Sequence, residues 1–148
     1  MAQRPVLFFS FTHREPDLQI VLELQRRVEV RGILVYTIRQ DPLVASDHFS
    51  VSIPAGMAIC TGVVSFWSGQ ASSSFWVRME YAYAGAMKKP VCLILFPGTN
   101  LPEDWPKVHG TNLPDAKYVQ LRSTSPFTPE FDEVVEEVVR FAEERASG

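Results

Sequence analysis

A chain of 148 residues is long enough for one domain that buries about 68–70% of its unfolded surface. A net charge of −3 with no basic stripe argues against a nucleic-acid footprint. With 46% hydrophobic residues the chain is no disordered or fibrous sequence.

The run PVLFFSF (5–11) is continuously apolar between polar neighbours, the pattern of a strand buried on both faces. Its apolar part, Val6 to Phe11, is too short for a signal-peptide core or a membrane span. From Glu15 the pattern turns helical, with Leu18, Val21, Leu22 and Val28 as the expected apolar stripe and Gly32 as the expected C-terminal cap. ILVYTI (33–38) reads as the second strand. Residues 39–52 carry no period and read as a long surface loop. A short helix is expected around Pro54–Cys60, then a third strand, VVSFW (63–67). SGQASSS (68–74) forms a turn in which Ser73 or Ser74 caps a helix over 75–88, stopped by Lys88-Lys89-Pro90. VCLILF (91–96) is a fourth buried strand, 97–117 reads as irregular, and YVQL (118–121) as a short edge strand. Thr128-Pro129 opens a last helix with Phe131, Val134, Val135, Val138, Val139 and Ala142 on one face.

This alternation predicts a single α/β domain, its core roughly 6–144, with about five mostly parallel strands and helices on both faces. Ligands of such sheets bind at the carboxyl ends of the strands. That edge is fed by 11–17, 39–52, 68–74 and 97–105. No glycine follows the first strand, so a dinucleotide fingerprint is absent, and there is no Walker loop. His13, His48 and His109 are scattered and none pairs with cysteine at metal spacing, so no metal and no cofactor are expected. Cys60 and Cys92 lie inside apolar stretches and read as buried free thiols, which places the chain in a reducing, cytoplasmic setting.

On the helix 75–88, Phe75, Met79, Ala82 and Ala86 make the expected core face. Trp76, Glu80 and Tyr83 stack one turn apart on a neighbouring stripe, near the ligand edge. From spacing alone Glu80 reads first as a solvated surface acid and second as a functional carboxylate. In the second reading the carboxylate stabilises charge developing on an anomeric carbon, and the indole stacks on a cationic ring. A nicotinamide riboside offers both features.

The chain resembles the TIR (Toll/interleukin-1 receptor) family, bacterial type, over roughly 6–144. LFFSF (7–11) resembles the family's first-strand box, with Ser10 and Phe11 in its Ser and aromatic positions. Ser68, Ser74, Trp76 and Glu80 keep its Ser…Ser-x-Trp-x-x-x-Glu spacing. The resemblance implies a flavodoxin-like fold and cleavage of NAD+, as substrate, to nicotinamide and ADP-ribose or a cyclic isomer. It also implies self-association through TIR–TIR contacts and a role in immune signalling or as an effector, with a downstream sensor if the product is cyclic. It makes Glu80 catalytic, Trp76 a wall of the nicotinamide pocket, and Phe11, Thr12, His13, Ser68 and Ser74 lining residues. Two departures are Val77, where many members have Cys, and a 39–52 loop without the usual Pro-Gly, stiffened only by Asp41-Pro42 and the nearby Pro54. Two alternatives stay open: a non-catalytic adaptor working by TIR–TIR contact, and an enzyme like the nucleoside 2-deoxyribosyltransferases.

Overall fold

The computed structural model describes residues 4–12, 14–37, 55–71, 75–102 and 116–146, with backbone only at 75, 76, 116, 117, 145 and 146. Five strands, β1 (Val6–Ser10), β2 (Leu34–Thr37), β3 (Gly62–Trp67), β4 (Val91–Leu95) and β5 (Ala116–Gln120), form one sheet in the order β2-β1-β3-β4-β5. Every pairing is parallel. This is the flavodoxin-like order, whose topological switch lies between β1 and β3. The helices are α1 (Asp17–Val30), a short α2 (55–59), α3 (Phe75–Ala86) and α4 (Pro129–Ala146). The expected loop over 39–52 and the Ser73/Ser74 cap lie outside the described residues.

The period-2 pleat divides the apolar strand residues between two cores. Leu7, Phe9, Val64, Phe66, Cys92 and Ile94 face α1 and α4. Phe8, Val63, Trp67, Val91, Leu93 and Leu95 face α2 and α3. Such two-sided burial explains the unbroken apolar runs of the sequence. Both cysteines are buried and unbridged. No helix among the described residues is long and apolar enough to cross a membrane.

Three sequence expectations shift. In α1 the buried residues are Asp17, Ile20, Val21, Leu24 and Val28, whereas Leu22 is 52% exposed. Leu18 is partly buried against the same core, so the stripe is turned toward Ile20 and Leu24 and away from Leu22. Strand β5 begins two residues before the expected 118, since Ala116 and Lys117 gain backbone partners opposite Val91 and Cys92 despite weak strand propensity. Helix α3 ends at Ala86, where Lys88 adopts φ 56 and the amides of Lys88 and Lys89 close on Gly85 and Ala84.

The expected cap at Gly32 is present. Gly32 takes φ 87, its N–H donates to the Glu29 carbonyl, and the Ile33 N–H donates to that of Val28. α1 is tied to α4 by Arg27–Asp132 at 2.7 Å and Arg31–Glu136 at 2.6 Å, exposed pairs worth at most about 1 kcal/mol each.

Gly62 marks a closer approach. A Cβ there would sit 2.8 Å from Cε1 of Phe141 on α4, so Gly62→Ala is expected to cost about 1–3 kcal/mol by overpacking. Urea denaturation should show a lower midpoint at unchanged slope; an unaltered midpoint would mean that Phe141 swings aside freely.

Candidate active site

The pleat that sorts the core also places two serines among its apolar neighbours. Ser10 is the last residue of β1 and lies beside Ser65 of β3 in register. By alternation both point to the face covered by α3, which packs on β1 and β3. Both are buried, and the Ser65 hydroxyl has no hydrogen-bond partner among the described residues.

On α3 the residues facing the sheet are Val77, Glu80, Tyr81 and Ala84, spaced i, i+3, i+4, i+7. This corrects the expected core face: Ala82 and Ala86 are exposed and Met79 is only partly buried, while the side chain of Phe75 is not described. Glu80 therefore lies within the buried stripe, only 6% exposed, and the solvated-surface reading of it is overturned. Ser10 Oγ donates to Glu80 Oε1 at 2.9 Å, across the end of β1. Burial pushes the Glu80 carboxyl up from about 4.5 to about 8, and the Ser10 hydroxyl opposes that rise.

The shift has a measurable sign. Below pH 4.5 the carboxyl is protonated in the folded and the unfolded chain alike, so its burial carries no ionic cost. As pH climbs through 4.5 toward 8 the unfolded chain gives up this proton while the folded chain keeps it. Stability from this group is thus lost between about pH 4.5 and 8 and levels off above. The melting temperature is expected to fall over that window, and Glu80→Gln to flatten the fall. A slope untouched by the substitution would place its origin elsewhere.

A second buried carboxyl stands at the same sheet edge. Asp17, the first residue of α1, is 1% exposed. Its Oδ2 accepts from Thr12 Oγ1 at 2.8 Å and from Ser68 Oγ, and its Oδ1 accepts from Gln70 Nε2 at 2.9 Å. Gln70 also donates to the Glu15 carbonyl, and Ser68 Oγ accepts from the Ala71 N–H at 3.0 Å. The exits of β1 and β3 are therefore joined through one side chain at the topological switch. Among the described residues no group of His, Cys, Asp and Glu is arranged to hold a metal.

Of the residues singled out in the sequence, Glu80 meets Ser10, and Thr12 and Ser68 meet on Asp17. Phe11 is placed on the opposite face, buried beside α1 and α4 with its ring 6.3 Å edge-on from Phe66. His13 and Ser74 lie outside the described residues, and Trp76 is described by its helical backbone alone. Asp17 and Gln70 escaped the sequence reading. The available signal was an acid immediately after Pro16 at a helix start, a position where acids commonly serve the helix dipole.

No protein-family model matches the chain, and no curated protein matches it in sequence. Solved structures do match. The chain is similar to the CMP N-glycosidase BcmB of Clostridium botulinum, with a TM-score of 0.65 at 16% identity, covering 90% of this chain and 97% of that one. It is similar to a 2-deoxyribosyltransferase of Bacillus psychrosaccharolyticus, with a TM-score of 0.58 at 8% identity over 80% and 87% of the two chains. A diflavin flavoprotein of Nostoc follows at 0.57 and 14% identity, over 97% and 93%. At such identities the likeness establishes a shared α/β fold of flavodoxin-like type.

Proposed function

We propose that the protein cleaves the N-glycosidic bond between a heterocyclic base and the sugar of a nucleoside or nucleotide, with Glu80 at the anomeric carbon. The observation that carries this reading is the buried Glu80 carboxyl, held by Ser10 at the β1/β3 switch. Two similar folds belong to an N-glycosidase and a deoxyribosyltransferase, which supports the same chemistry here.

The raised proton affinity of Glu80 suits a neutral base, which leaves only as it is protonated. Glu80 delivers the proton as the C–N bond breaks, and the bonding electrons go to the base. The resulting carboxylate then faces an oxocarbenium-like sugar, which it stabilises or captures covalently. Water completes hydrolysis, and a second base completes transfer.

The Ser…Ser-x-Trp-x-x-x-Glu spacing favours a second reading, cleavage of NAD+ to nicotinamide and ADP-ribose or its cyclic isomer by a self-associating TIR-type enzyme. Nicotinamide is cationic in the substrate and leaves as a neutral ring without needing a proton. Arrival of that cation would draw Glu80 into its ionised form.

Chromatographic detection of free base separates these readings. Concentrated protein is incubated in turn with CMP, 2′-deoxynucleosides and NAD+. Release of a nucleobase supports the first reading, release of nicotinamide alone replaces it with the second, and no release from any substrate overturns both.

A further inference from the structure

Beside the Ser10–Glu80 pair stands a third polar group, the hydroxyl of Ser65. It is 0% exposed and has no hydrogen-bond partner among the described residues. Most of its neighbours on that face of the sheet are apolar, with Val63 and Trp67 on its own strand and Leu93 across on β4. An alanine would fill the place without burying an unpaired hydroxyl, which is costly to keep. The exception is its register neighbour on β1, Ser10, one strand spacing away, whose Oγ lies 2.9 Å from Glu80 Oε1. α3 packs on both strands, so the helix that carries Glu80 spans the seam between the two serines.

The demand on this seam changes when Glu80 gives up its proton. A carboxylate only accepts hydrogen bonds and has room for several, and a buried one needs them to offset its lost hydration. The described groups that titrate on the surrounding elements are Arg78, Tyr81 and Tyr83 on α3, Tyr36 on β2 and Asp17 at the strand exits. β1, β3 and α2 carry none, and β4 carries only Cys92, in the opposite core. None of these groups shifts the Glu80 carboxyl, which answers to burial and to Ser10.

We infer that Ser65 is a positioning residue for Glu80, its hydroxyl turning to the carboxylate as a second donor beside Ser10 once the proton has been delivered. This role rests on the reading of Glu80 as the acid of a glycosidic cleavage. A serine moves between staggered wells and its hydroxyl turns to suit its partner, so the bond forms without a shift of β3. A hydrogen bond made only as charge develops lowers the barrier and leaves substrate affinity alone.

The test follows the Glu80 carboxyl carbon by NMR through a pH titration, with Glu80→Gln identifying its signal. In Ser65→Ala the midpoint is expected to move up by about one pH unit, and kcat for base release to fall about tenfold at unchanged KM. Ser65→Thr and Ser65→Val share a shape and differ by the hydroxyl, so the valine variant should show the higher midpoint. Ser65→Ala removes an unpaired buried hydroxyl and should fold at least as well as the parent below pH 4.5, where Glu80 is protonated in the folded and unfolded chain alike. Above the parent's midpoint it should melt lower than the parent, whereas a merely structural serine would shift melting equally at both ends. A Glu80 midpoint unmoved in Ser65→Ala, or equal in the threonine and valine variants, overturns the inference even where the parent releases base. A midpoint that moves in a protein releasing no base removes the glycosidic reading and keeps the Ser65–Glu80 pairing.

Discussion

Glu80→Gln is expected to lower base release by about 10²–10⁴-fold, the span of a positioned general acid. The substitution is close to isosteric with the protonated acid that burial favours at neutral pH. The amide oxygen still accepts from Ser10, so the fold should be retained, and the melting temperature at pH 7 should equal or exceed that of the parent protein. What is lost is a proton that can be given away and a negative charge that can remain. The loss should therefore appear in kcat rather than KM. Ser10→Ala makes the complementary test. Removing the hydroxyl that holds the pKa down pushes the Glu80 carboxyl further up, so the alkaline limb of the pH–rate profile should move to higher pH. Full activity in Glu80→Gln would remove the carboxyl from the chemistry, whatever the substrate.

Asp17→Ala is expected to be the most damaging single change to the fold, at about 3 kcal/mol. The side chain takes three hydrogen bonds from Thr12, Ser68 and Gln70, and two of these partners are themselves buried. Truncation removes the acceptor and strands its donors away from water, which costs more than removing both partners of a bond together. For a domain near this size the loss corresponds to a melting temperature lower by about 6–12 °C. Asp17→Asn keeps the shape and one acceptor oxygen but turns an amide N–H toward the donors, so an intermediate loss should follow. Thermal and urea denaturation of both variants check this. If both match the parent protein, the network contributes nothing to stability.

The strands were legible because a parallel sheet covered on both sides favours apolar residues on both faces, and VLFF and VCLIL show that preference without interruption. Helix α4 was legible because acids and valines alternate sharply around it. Helix α3 was not. Its residues FWVRMEYAYAGA are apolar or small almost all round, so no period marks which side meets the sheet. The error of phase followed, and with it the reading of Glu80 as solvated. Glu80 itself was found by its spacing from Trp76, but its burial and its partner belong to tertiary structure. Asp17 was hidden for the same reason, since two of its three bonds come from a segment that only the finished sheet brings beside it.

Three of the bonds that build the site span 51, 53 and 70 residues, from Ser68 and Gln70 to Asp17 and from Ser10 to Glu80. None of them can form within one helix or one hairpin. Closing such loops is entropically costly until the strands between them have paired. The site is therefore assembled late, once β1 and β3 lie side by side. A nascent or partly folded chain carries Glu80 and Asp17 as ordinary solvated acids, and the proposed chemistry at this edge requires the completed domain.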